Sequence, residues 1–189
     1  MRISELTWVF ALVGLLGAGS VQAETLSNKQ LIATLGQVAH GVPEVDPGVL
    51  AQEVAANVGK GAAALPTWSQ LAALSQIDVD IQFELNSVAI VPESYRSVGV
   101  IADALHHPIL RAHKFLIVGH TDSTGKPEAN LELSQARADA IRDALSTTFA
   151  IAPDRLFAVG VGQEMPLNAS NPKDPANRRV QLINIGWVK

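Results

Sequence analysis

The 189-residue sequence contains no cysteine. That absence excludes a disulfide framework, cysteine-ligated zinc, thiol catalysis and lipid attachment to an N-terminal cysteine. Aromatic residues are scarce, at 5%, so any core must be built mainly from aliphatic side chains. Net charge is small: 14 Lys+Arg against 18 Asp+Glu leaves −4. No basic cluster exceeds Arg178-Arg179, and the electrostatic footprint of a nucleic-acid binder is therefore missing. Nucleophile motifs are missing as well. There is no G-x-S-x-G, no H-E-x-x-H and no well-placed Ser/His/Asp set, which argues against an enzyme. The H-x-D of His120 and Asp122 lacks the three or four convergent ligands that a metal needs. His106-His107, at a helix end before Pro108, suits the negative end of the helix dipole. No metal or cofactor is expected.

What is present begins with an apolar surplus at the front of the chain. Arg2 gives a positive start, and Thr7–Ala18 is an apolar run. Val21-Gln22-Ala23 then offers small residues at the −3 and −1 positions of a cleavage site. This is the order of a secretory signal peptide over residues 1–23. The run is short for a bilayer span, which needs roughly 20 apolar residues. An uncleaved membrane anchor is the alternative. The mature chain is expected to start near Glu24, outside the cytoplasm, with no later spanning segment.

Residues 24–75 read as a partly helical extension or spacer. Leu31, Leu35, Val38 and Ala39 follow helical spacing. A second helix is expected from Asp46-Pro47, with a stripe of Leu50, Val54 and Val58. Trp68 is positioned to pack on whatever follows. Gly59–Ala64 (GKGAAA) fits a loose dinucleotide-loop pattern, but it follows a helix-like stretch rather than a strand, which argues against that use.

From residue 76 the pattern changes. Ile77, Val79, Ile81 and Phe83 alternate with polar residues, as in a half-buried strand. A helix opens at Pro92, with Tyr95, Val98, Ala102 and Leu105 on one face, and ends at Pro108. Phe115–Val118 is a continuous apolar run, as in a central strand covered on both faces. A helix over Asn130–Thr148, a strand over Leu156–Val161, a proline-rich loop over 162–178 and a strand over Val180–Ile185 complete the order. That order, β-α-β-α-β-β, argues for an α/β fold: a two-layer sandwich with a mixed four-stranded sheet and helices packed on it.

One charge is out of place. Advancing the third helix by about 100° per residue from Leu133 groups Ala136, Ala140, Ile141, Ala144 and Leu145. Arg137 falls near the middle of that stripe. A guanidinium there must be paired or must open into a wet pocket, since stripping its water costs several kcal/mol. Asp122 lies in the polar turn Gly119–Gly125 at the carboxyl end of the buried strand, where open α/β sheets carry binding sites. Two readings stay open. One is a structural Asp122–Arg137 ion pair. The other is a zwitterion site, with Arg137 donating to a carboxylate and Asp122 accepting from an ammonium. Paired carboxylates at Asp122 and Glu164, as in a glycosidase, are disfavoured because nothing fixes their separation.

Gly119–Ala138 (GHTDSTGKPEANLELSQARA) resembles the signature of the OmpA-like, or OmpA/MotB C-terminal, domain family. Phe83–Ile90 (FELNSVAI), Gly160–Pro166 (GVGQEMP) and Asn177–Leu182 (NRRVQL) agree with it in order. The resemblance covers about residues 76–189. It implies binding of peptidoglycan without cleavage, through the diaminopimelate of the stem peptide. By motif it implies that Asp122 and Arg137 are the central contacts. Asn130 would touch the ligand or shape its pocket, although a helix cap is as natural a role for it. Asn86 and Arg178 would form the rim, and Thr121 would add backbone or hydroxyl contacts. Gln181 and Glu84 stand where the family often has Glu and Asp. The resemblance and the export segment together imply a periplasmic, wall-associated protein, with the outer membrane a candidate location. Residues 24–75 are too few for an outer-membrane barrel, and none is expected. The alternative function is a protein-interaction module that docks an envelope partner through residues 24–75, with wall binding secondary.

Overall fold

Alternation in one strand sets the architecture of the computed structural model, which describes residues 27–37, 45–84 and 87–188. The export segment, Val38, Ala39 and Asn86 lie outside those residues. Strand β2 (His113–Gly119) is central and almost wholly buried. Phe115 and Ile117 point into one core, Leu116 and Val118 into another, because successive side chains of a strand leave by opposite faces. β1 (Gln76–Val79), β3 (Leu156–Gly160) and β4 (Val180–Trp187) complete a sheet of order β1-β4-β2-β3. β4 runs antiparallel to both β1 and β2, while β2 and β3 are parallel. This is the mixed four-stranded α/β sheet that the order of elements implies.

Helices α4 (Tyr95–His106) and α5 (Pro127–Asp143) pack on the Phe115/Ile117 face. α1 (Asn28–Leu35) joins them through Leu31 and Leu35. The other face is covered by α2 (Pro47–Ala56) and α3 (Pro66–Leu71), whose Leu50, Val54 and Leu71 meet Leu116, Val118, Val159 and Ile183. α2 opens as expected: Asp46 caps it by accepting from the Gly48 N–H at 2.8 Å, and Pro47 follows. Asn184 of β4 donates to the last carbonyl of α1, Leu35 O, at 2.8 Å, satisfying an acceptor that helix geometry leaves free.

Two details differ from the sequence reading. Tyr95 is 43% exposed, and the buried face of α4 is Val98, Ile101, Ala102, Ala104 and Leu105. α5 starts at Pro127, three residues earlier than expected, and ends in a wider turn over Ala144–Thr148. Its buried row is Asn130, Ser134, Ala138 and Ile141, continued by Leu145, so Arg137 lies at the edge of that face rather than near its middle. The cause is close backbone contact. Gly119 and Gly160 are paired across β2 and β3. A Cβ on Gly119 would overlap the Ser134 carbonyl oxygen, and one on Gly160 the Gln135 backbone nitrogen. Only small residues fit between helix and sheet there. Gln135 completes the seam by accepting from Gly160 N–H at 2.7 Å and donating to Ala158 O at 3.2 Å.

Gly160→Ala must push α5 off the sheet, because the obstructing atoms are backbone. We expect a loss of at least about 3 kcal/mol, the range of severe overpacking. Urea unfolding monitored by circular dichroism measures it. A loss below 1 kcal/mol would contradict this close contact.

Candidate functional site

The seam between α5 and the sheet fixes the carboxyl end of β2, and the chain leaves there as the polar loop Gly119–Lys126. The loop is tied by its backbone: His120 N–H donates to Arg179 O, Thr121 N–H to Gly162 O, and Ser123 N–H to Pro172 O, all within 2.9–3.0 Å. It forms one wall of an open cleft of about 970 Å³. Asp122, Arg137, Asn130, Thr121 and Arg178 all line this cleft. Asn86, the remaining expected rim residue, lies outside the described residues.

Asp122 is buried, and its carboxylate is engaged. Oδ1 accepts from the Thr124 N–H at 2.9 Å and Oδ2 from Arg178 Nη1 at 2.6 Å. Burial alone would raise the Asp122 pKa, but the bonds from Arg178 and Thr124 outweigh it and hold the carboxyl below its ordinary value. Arg178 therefore supplies the ion pair for which Arg137 was the sequence candidate. Its neighbour Arg179 turns to Asp78 Oδ1 at 3.1 Å and Met165 O.

Arg137 is placed differently. Its guanidinium carbon lies 4.8 Å from the centroid of the Phe83 ring, a cation–π contact. Among the described residues it forms no ion pair, and its Nε is buried without a hydrogen-bond partner. Burial, and then the positive charge of Arg178, lower its pKa. Arg155 provides the contrast. It is buried in the fold, but its Nε donates to His113 O and its Nη2 to Leu105 O and Leu110 O. A structural arginine in this chain is thus satisfied by carbonyls, whereas Arg137 is left with a free donor beside the cleft.

Asn130 does not cap α5. It lies inside the first turns, and its Nδ2 donates to Asp122 O at 3.2 Å and Gln163 Oε1 at 2.8 Å. The Thr121 hydroxyl is buried without a partner. His120 is buried, edge-on against Trp68 with ring centroids 5.7 Å apart. Burial, reinforced by the Arg179 charge, drives its pKa well below the ordinary value, so it is neutral. Glu164 is not poised for acid–base work with Asp122, because its two oxygens accept from Gly59 N–H and Gly61 N–H. Sequence reasoning missed Phe83 as the surface under Arg137. The available signal was its place in the alternating run Ile77–Phe83, of which only the part up to Val79 forms β1, while Phe83 makes an isolated bridge to Ile90.

The "OmpA family" model matches residues 82–179, and the chain belongs to that family. It is 33% identical over 114 residues to outer membrane porin F of Pseudomonas fluorescens, a match covering 59% of this chain and 34% of that protein. It is 30% identical over 141 residues to the peptidoglycan-associated lipoprotein of Pseudomonas putida, covering 67% of this chain and 82% of the relative. The first curated relatives are thus matched over only about a third of their length. Among solved structures, the OmpA-like domain of FopA1 from Francisella tularensis superposes with a TM-score of 0.50 at 15% identity, over 60% of this chain and 75% of that one, a likeness of fold. Among the described residues no helix is long and apolar enough to cross a membrane.

The Asp122–Arg178 pair carries a pH signature. With its folded pKa lowered, Asp122 stabilises the fold fully above the ordinary carboxylate value of 3.8, and that stability disappears as pH falls through the lower folded value. Arg178→Met removes the strongest lowering influence and leaves the burial. We expect the Asp122 pKa to rise in this variant, read by carboxyl NMR titration. An unchanged value would mean that Arg178 does not hold the acid.

Proposed function

We propose that the chain binds peptidoglycan without cleaving it, through the diaminopimelate of the stem peptide, and so anchors or stabilises the bacterial envelope. The carrying observation is Arg137, half-buried with no partner for its Nε among the described residues, lining the same cleft as Asp122. A buried donor without a partner costs about 1–3 kcal/mol, and a carboxylate is the group that best recovers it, bidentate on the guanidinium fork. Asp122 is the acceptor for the ammonium. An ionised carboxylate has about four lone-pair sites, and Thr124 and Arg178 take two of them. The free end of diaminopimelate carries both charges.

In this reading Thr121 offers its unpartnered hydroxyl, Asn130 holds the Asp122 carbonyl in place, and Arg178 and Asn86 are rim contacts. Arg178, with its side chain 49% exposed, can follow the ligand at little cost in buried contacts. Support comes from membership of the OmpA family and from the relative in Pseudomonas putida named a peptidoglycan-associated lipoprotein. The proposed location is the periplasm, reached through the signal segment of residues 1–23. Each charged hydrogen bond contributes roughly 1.5–3 kcal/mol before ordering costs, so a single stem peptide is held modestly. The wall presents many copies, and high local concentration sustains attachment. Leu50, Val54 and Leu71 of α2 and α3 are turned onto the sheet, and Val49 of α2 is the one large apolar side chain there that stays exposed, a small surface for the alternative, a docked envelope partner.

The test is cosedimentation of the full chain with purified sacculi. Arg137→Ala and Asp122→Ala should lose binding by at least tenfold while keeping wild-type circular dichroism. Arg137→Lys should fail too, because an ammonium cannot present the fork. Wild-type sedimentation by all three folded variants would overturn the reading.

A further inference from the structure

The GKGAAA segment makes a specific contact of its own. Gly59 N–H donates to one oxygen of Glu164 and Gly61 N–H to the other, each at 2.7 Å. Both glycines have positive φ, 77° and 76°, a conformation that glycine adopts without penalty. The glutamate they hold is 5% exposed. Gly59 also lies against Pro127, the first residue of α5. From Glu164 the connection continues toward the ligand groups. The adjacent Gln163 accepts from Asn130 Nδ2, and the same nitrogen donates to the Asp122 carbonyl. A second contact reaches the same loop, where Trp68 of α3 packs edge-on to His120, two residues before Asp122. Residues 45–75 line no part of the cleft, yet they brace the acid-bearing loop from behind at two points.

The loop needs such support. Recognition of a zwitterion requires donor and acceptor held at a matched separation, and a site is as good as the shell that holds it. Arg137 rides on a long helix, whereas Asp122 rides on a loop. Charge-assisted bonds to backbone N–H are strong and directional. We propose that Glu164 is a positioning residue for the cleft, and that residues 45–75, clamped on it, set the affinity for the stem-peptide zwitterion. This rests on the reading of the cleft given above. Glu164→Gln turns one acceptor into an amide donor facing another donor, and the clamp opens.

The test uses the full chain and titration with diaminopimelate, followed by NMR. Glu164→Gln should bind roughly tenfold more weakly, the middle of the range for indirect coupling. Leu31→Ala serves as a control: its cavity in the core beside α1 lowers the melting temperature, and its affinity should match wild type. Glu164→Gln with a lowered melting temperature but wild-type affinity would reduce the clamp to a structural staple and overturn the proposal. Arg137→Ala separates the two claims. If it binds like wild type, the cleft reading fails, whatever Glu164 does. Should Glu164→Gln not fold, the wild type decides the matter by reciprocity. Saturation with diaminopimelate must slow hydrogen exchange at the Gly59 and Gly61 amides by a factor similar to the expected affinity change. Unchanged exchange there would overturn the proposal.

Discussion

A guanidinium that is half buried and not neutralised is the constraint on which this protein turns. Arg137 rests on the face of Phe83, with its Nε enclosed and, among the described residues, no ion-pair partner. Leaving such a donor free is costly in a folded chain, and the same chain shows how it is avoided: Arg155 meets three carbonyls. The difference between these two arginines separates structure from binding. One is satisfied by the fold. The other is held ready by a ring, in a cleft whose acid is occupied by a more exposed arginine.

The scaffold follows from the need to hold Arg137 and Asp122 together. Paired glycines in β2 and β3 let α5 press directly on the sheet. That contact fixes where α5 begins and therefore where Arg137 stands. The loop from β2 to α5 carries Asp122 on the other side of the gap, tied by backbone bonds to strands and loops far away in sequence. The extension closes the second face of the sheet and grips Glu164. Residues outside the matched family segment thus reach the loop that carries the site.

Much of this was legible in local pattern. The alternation of residues 77–83, the unbroken apolar run at 115–118 and the isolated Arg137 each have a local cause that period and burial rules capture. The apolar run already demanded cover on both faces, and α2 and α3 supply the second cover. What escaped was non-local or depended on backbone contact. Arg178 reaches Asp122 across 56 residues and Glu164 reaches Gly61 across 103. No periodicity encodes such pairings. The face of α5 was misjudged because helical angles measured from Leu133 ignore the glycines opposite, which admit Ser134 and Ala138 to the buried row and turn Arg137 to its edge. Asn130 could equally have been a cap. Only the position of Pro127 as the first helical residue shows that it is a tie to Asp122 and Gln163 instead.

The most direct test of the central claim watches the orphaned donor itself. The Arg137 Nε–Hε resonance, assigned by its loss in Arg137→Ala, can be followed by 15N NMR while diaminopimelate is added. The account predicts that this signal moves with ligand occupancy and that its proton exchanges more slowly at saturation, because the donor has gained a carboxylate. If the ligand binds while the Arg137 signal neither moves nor slows, the guanidinium is not the group that recognises it.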